Sequence, residues 1–292
     1  MTKRRFEFDV SGNRVVGDLY LPAGPGPHPA AIVGGPMTSV KEQVTGVYAK
    51  ALSERGIAAL CLDHRHYGES AGQPRQYEYY PHKIEDLKAG LQALGKQPDI
   101  DAARIGAAGI CLGVGYSVWA SIDNPLVKSI GAVVGYYRDV PAMKASDPAG
   151  FQAKVDQGRA AREQFERTGE VLTIPAAALE GDAAMTLQST YDYYATPRAG
   201  VSNYTNAFAV MSREYFLRFD VQSAAPKVHV PMIMMHSENA LSPNWARKFY
   251  DTLSGEKTIH WVDGPNQTAF YDAPELVNEA AGLLAAHFHK TL

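Results

Sequence analysis

Residues Ala107–Tyr116 read AAGICLGVGY, and within them Gly109 and Gly113 stand two positions either side of Cys111. The apolar run up to Ile110 reads as a strand, and Leu112–Ile122 has helical spacing. A residue held between strand and helix, with glycine at i−2 and i+2, sits on a turn too tight for larger neighbours. Such a turn raises the side chain above the sheet edge. It also aims the first N–H groups of the helix at any developing oxyanion. Cys111 is therefore a candidate nucleophile, and the helix start is expected to favour its thiolate.

Working outward, RRFEFDV and NRVVGDLYLP flank Ser11–Asn13 as a β-hairpin, and PAAIVGG follows as a short apolar strand. Helical spacing over 40–55 stops at Gly56, IAALCLD is a strand, and Pro81 opens a helix running to Leu94. SIGAVVG and PMIMMH read as further strands. Ser242 is expected to cap a helix with Pro243 at its first position; KTIHWVD is the last strand and Pro274–His289 the last helix. Strands alternating with helices imply an α/β fold with a mostly parallel sheet covered on both faces.

Between Asp139 and Pro226 that alternation disappears. Helices are expected near Phe151–Arg167, at TYDYY and around FAVMSREYFLRF. The chain thus divides into a core from 1 to 139, a helical cap over 140–226, and the rest of the core over 227–292.

The 292-residue chain has a formal net charge of −3, so nothing draws it generally to nucleic acid or an anionic membrane. Without a spanning apolar run or a signal-peptide pattern, a cytoplasmic location is expected. Two cysteines, Cys61 and Cys111, make no disulfide framework, and Cys61 in IAALCLD reads as core. The expected partner is a small-molecule substrate, with no cofactor and no metal; assembly as a homodimer is left open.

An oxyanion hole needs a second N–H beside that of Leu112. The loop after the first parallel strand, GGPMTS, offers one: Pro36 has no N–H, so Met37 is the expected donor. With these residues in view, the chain resembles the α/β-hydrolase family, and GICLG resembles its dienelactone hydrolase branch, which uses a cysteine elbow. GGPMTSVKEQ, DHRHYGES and PRQYEYYPHKIEDL are similar to segments of related bacterial and fungal hydrolases. The resemblance implies an eight-stranded sheet, an acyl-enzyme intermediate, no metal, and a triad in the order nucleophile, acid, histidine.

The histidine that the resemblance implies is missing. The loop after the last strand reads VDGPNQTAFYD, with Asn266 and Gln267 where a histidine is expected; Gln267 is the matching position. An amide holds a hydrogen bond but cannot shuttle a proton near neutral pH. The acid is also displaced: HSENALSP offers only Glu238. Among nine histidines, His236 ends the strand beside the acid loop and is the leading substitute base, followed by His64 and His66. Tyr77, Tyr80, Tyr136, Tyr194 and Tyr204 are expected to wall a substrate pocket.

A cysteine tolerates this loss better than a serine, because part of it is thiolate even unassisted. Three readings stay open. The chain is an acyl-transfer enzyme acting on an ester or thioester of a hydrophobic small molecule; a cyclase, lyase or condensation enzyme using the oxyanion hole; or a silent binding protein.

Overall fold

The computed structural model describes all 292 residues. Its centre is an eight-stranded sheet in the order β1-β2-β4-β3-β5-β6-β9-β10. The strands are β1 (Thr2–Val10), β2 (Asn13–Leu21), β3 (His28–Gly34), β4 (Ala58–Asp63), β5 (Ile100–Ile110), β6 (Val127–Val133), β9 (Met232–His236) and β10 (Lys257–Trp261). The hairpin β1–β2 and the β2–β4 pair are antiparallel, while every other pair in this sheet is parallel. β4 and β9 are buried at every position, as expected of strands covered on both faces.

The helices that join the parallel strands are α1 (Val44–Ser53), α2 (Tyr80–Leu94), α3 (Gly113–Ser121) and α8 (Pro243–Thr252), and α9 (Ala269–Asp272) and α10 (Pro274–Thr291) follow the last strand. Proline falls in the first turn of α2, α8 and α10, where its missing N–H costs nothing. Ser242, expected to cap α8 through its hydroxyl, does not. It takes a left-handed backbone (φ +52°) and makes no side-chain cap; its carbonyl accepts from Trp245 and Ala246 N–H instead.

Between β6 and β9 lie α4 (Val140–Ser146), α5 (Pro148–Thr168), α6 (Gln188–Tyr194) and α7 (Ser212–Phe216), with a two-stranded ribbon of β7 (Thr173–Ile174) and β8 (Phe208–Ala209). Asp139 and Asp147 cap α4 and α5 by accepting from Ala142 and Gly150 N–H. The segment FAVMSREYFLRF, expected to be one helix, is split. Phe208 and Ala209 pair with β7, and only Ser212–Phe216 is helical. Its apolar residues suit either periodicity, and pairing to Thr173–Ile174 decides the first two.

Near the antiparallel edge, the fully buried Lys41 ammonium lies 2.9 Å from Asp63, 2.6 Å from Glu42 and 2.5 Å from Glu69. Those three carboxylates are close enough together to hold a cation, and Lys41 supplies it.

Candidate active site

Cys111 follows β5 directly, precedes α3, and has φ +55°, a left-handed backbone that a side-chain-bearing residue adopts at a cost. The flanking glycines make the turn possible. A Cβ on Gly109 would lie 2.4 Å from Val114 Cα, and one on Gly113 would lie 2.3 Å from Gly34 O. The elbow packs backbone against backbone, between itself and the end of β3.

Met37 and Leu112 both face the cavity that contains Cys111. Neither N–H donates to a protein oxygen. The loop that carries Met37 is held from below. Thr38, itself left-handed at φ +61°, donates its N–H to Glu78 Oε2 at 2.9 Å. Glu78 is fully buried and also accepts from Tyr67 (2.8 Å) and Tyr116 (2.7 Å), with the Lys83 ammonium 2.6 Å away. Burial opposes ionisation of Glu78, but Lys83 and the surrounding donors outweigh it and hold the carboxyl below its usual range. One buried carboxylate thus ties the oxyanion loop to Tyr116 of α3.

Gln267 comes to the side of Cys111, as its place in the loop after β10 suggests. It is 2% exposed. Leu241 N–H donates to its Oε1 at 3.0 Å, which turns Nε2 toward Val134 O at 2.7 Å and the Tyr271 hydroxyl at 3.4 Å. The Tyr271 hydroxyl in turn stands beside the Cys111 thiol, each acting on the other's pKa. Nothing in the sequence pattern singles this tyrosine out. A one-turn helix, α9, carries it inward. Asn266, its neighbour in the loop, caps that turn by accepting from Ala269 N–H at 3.0 Å.

Burial pushes the Cys111 thiol up, and hydrogen bonds from Tyr271, Leu112 N–H and Gln267 bring it only part of the way back. The net shift is upward, so the expected excess of thiolate at the helix start is overturned by desolvation. Tyr271 is also raised, well above its ordinary value, first by burial and then by Cys111. At neutral pH both groups carry their protons.

His236 does not reach the site. It is fully buried at the end of β9, where Nδ1 accepts from Ser237 N–H (2.9 Å) and Nε2 lies 3.1 Å from Gly135 O. Both ring nitrogens are committed to backbone, and burial lowers its pKa. Glu238 points outward, with a side chain 60% exposed, and pairs with Arg247; it contacts neither Gln267 nor Cys111. His64 is taken up by Asp86 at 3.2 Å, and His66 by Pro74 O (2.9 Å) and His82 (2.8 Å). No histidine lines the cavity.

That cavity, about 260 Å³, is walled by Pro36, Met37, Cys111, Leu112, Tyr136, Arg138 and Tyr271 from the core segments. Met143, Met185, Leu187, Tyr194, Phe216 and Leu217 from the segment between β6 and β9 close it. Tyr136 and Tyr194 stand where the sequence suggested. Tyr204 stands behind Tyr194, 5.6 Å between ring centroids, and does not line the space. Tyr77 stacks on Tyr79 at 5.1 Å and Tyr80 on Phe219 at 4.7 Å, both away from the cavity. Adjacent tyrosines on the approach to α2 cannot all face one way, and these two pack it against its neighbours instead.

A family model described as FrsA-like esterase matches residues 1–140. The uncharacterised protein YcjY of Escherichia coli K12 is 32% identical over 278 residues, covering 90% of this chain and 89% of that protein. Thiohydrolase aneE of Aspergillus aculeatus is 36% identical over 125 residues, 42% of this chain and 38% of that one. The crystal structure of the hypothetical protein PA2218 of Pseudomonas aeruginosa superposes with a TM-score of 0.84 at 26% identity, covering 100% of this chain and 94% of that one. A dienelactone hydrolase of Anabaena variabilis shares the fold, with a TM-score of 0.61 at 13% identity over 100% of this chain and 98% of that one.

Proposed function

We propose that this enzyme, which belongs to the family of YcjY among the α/β hydrolases, transfers acyl groups through Cys111. Its substrate is an ester or thioester of a small molecule with an apolar body. The observation that carries this is the joint position of one thiol, the Met37 and Leu112 N–H groups that donate to no protein oxygen, and Tyr271 with Gln267 in the place of a histidine. The resemblance of part of the chain to a thiohydrolase adds support for a thioester.

The step balances without a separate base. Sγ bonds to the substrate carbonyl carbon while the carbonyl oxygen gathers charge toward the Met37 and Leu112 N–H groups. Tyr271 takes the thiol proton and gives its own to the leaving oxygen or sulfur as that bond breaks. An acyl-cysteine and a free alcohol or thiol result, and Tyr271 ends as it began. A thiolate is a better leaving group than an alkoxide, which favours thioesters at a site with a weak proton shuttle. Water or a second hydroxyl then releases the acyl group by the reverse relay, and this half is the slower one.

Intact mass after incubation with an activated thioester or a p-nitrophenyl ester tests the reading. An acyl adduct on the wild-type protein that Cys111→Ala abolishes is the expected result. A wild-type protein that takes up no acyl group, and whose Cys111 does not react with iodoacetamide, overturns it.

A further inference from the structure

Four cations are buried in this chain with a carboxylate beside each: Lys41 with Asp63 (2.9 Å), Lys83 with Glu78 (2.6 Å), Arg65 with Asp86 (2.5 Å), and Arg213 with Asp182. Arg138 is the exception. It follows β6, is 1% exposed, and lines the cavity that holds Cys111. Its guanidinium lies 4.2 Å from the Phe216 ring centroid and 5.8 Å from that of Tyr136. Its only side-chain hydrogen bond runs from Nη2 to Leu217 O at 3.2 Å, and Nε has no partner.

The carboxylates that act on it, Asp220 and Glu78, are committed elsewhere: Asp220 accepts from Val140 N–H at 3.0 Å and Ser223 N–H at 2.8 Å, and Glu78 is held by Lys83, Tyr67 and Tyr116. Burying a charge with so few partners is costly, and arginine cannot escape by losing its proton. Aromatic stacking offsets part of that cost. The planar fork remains suited to two parallel hydrogen bonds from a carboxylate. Tyr194, on the same cavity wall, likewise has a hydroxyl without a partner.

We infer that Arg138 is a carboxylate-recognition residue, and that the substrate is a small ester or thioester whose apolar body ends in a free carboxylate. The inference rests on the acyl-transfer reading for the position of the reacting carbonyl, and on the unpaired guanidinium for the anion. The cavity of about 260 Å³ suits a short diacid monoester or monothioester.

Two measurements test it separately from the chemistry at Cys111. The first is the thermal shift of the wild-type protein with adipate and with its neutral analogue adipamide. Adipate is expected to raise Tm saturably and adipamide not. The second is the rate of acyl-adduct formation from mono-p-nitrophenyl adipate against p-nitrophenyl hexanoate, followed by intact mass. The wild type is expected to prefer the anionic ester by about 100-fold, in line with a buried, hydrogen-bonded charge pair. In Arg138→Gln the preference collapses to within about threefold, with Arg138→Lys between the two.

Equal rates for the two esters and no adipate-specific shift overturn the assignment while leaving the acyl-cysteine intact. A preference that persists in Arg138→Gln also overturns it. An adipate-specific shift with no adduct from either ester supports the anion site and removes the acyl-cysteine. If Arg138→Gln fails to fold, the wild-type comparisons still decide.

Discussion

Gln267 Nε2 lies 3.4 Å from the Tyr271 hydroxyl, and that hydroxyl stands beside the Cys111 thiol and acts on its pKa. The amide donates to the phenol oxygen, which leaves the phenol proton free to turn from sulfur at rest to the leaving group during reaction, its oxygen then taking the thiol proton. A group that cannot change its protonation state therefore orients one that relays a proton.

Tyr271→Phe removes the relay and one of the donors facing sulfur. Acylation of Cys111 is expected to slow by about 100-fold, the lower end of what general acid–base groups contribute. Thermal stability should change little, because the ring stays in place. The pH profile of iodoacetamide alkylation should also move to higher pH. Stopped-flow acylation and alkylation rates check both, and unchanged rates would remove Tyr271 from the mechanism.

The raised Cys111 pKa has a definite sign. Thiolate is the minority form at neutral pH, so alkylation should be slower than for a free cysteine. It should climb about tenfold per pH unit through and beyond the ordinary thiol pKa of about 8.5. For stability the same shift acts on the alkaline side. Below the ordinary pKa both folded and unfolded thiols are protonated, and nothing changes. Above it the unfolded thiol ionises first, so stability falls as pH rises. Alkylation rates and urea midpoints between pH 6 and 10, compared with Cys111→Ala, read the two effects.

Met37→Pro deletes one of the two N–H groups proposed to face the oxyanion. A loss of about 100- to 1,000-fold in acylation is expected, as for other single oxyanion donors. The melting temperature distinguishes that from damage to the loop: equal losses of fold and acylation would leave Met37 without a catalytic part.

Lys83→Met leaves the fully buried Glu78 without its cation and should cost about 3–5 kcal/mol of stability, measured by urea unfolding. Combining it with Glu78→Gln should recover part of that loss. Glu78 also gives the pair an acid limit. Its carboxyl is held below the usual range, so the stability it contributes is present above the ordinary carboxylate pKa and fades as pH falls through its own.

The elbow and the oxyanion loop were legible in the sequence because their requirements are local. Two glycines and a proline at fixed spacing state which atoms must come close. Gln267 was found by its place in a loop. The misassigned residues share another cause. His236 and Glu238 do lie at the correct edge of the sheet, but proximity along the chain does not say where a side chain points. One turns into the backbone at the end of β9, and the other turns out to Arg247. Tyr271 was hidden because α9 is a single turn, too short to print a periodicity. Arg138 was hidden because its significance is a missing partner, which only packing reveals.

The Lys41 ammonium among Asp63, Glu42 and Glu69 carries one more implication. The cage has the donor set of a hard-cation site, yet its cation is tethered by the chain itself and cannot diffuse away. The turn that carries Glu69 and the start of the α1 segment are thus cross-linked by an ion that no chelator removes and no shortage withholds. Rigidity on that flank of the sheet is inherited with the polypeptide rather than acquired from the medium.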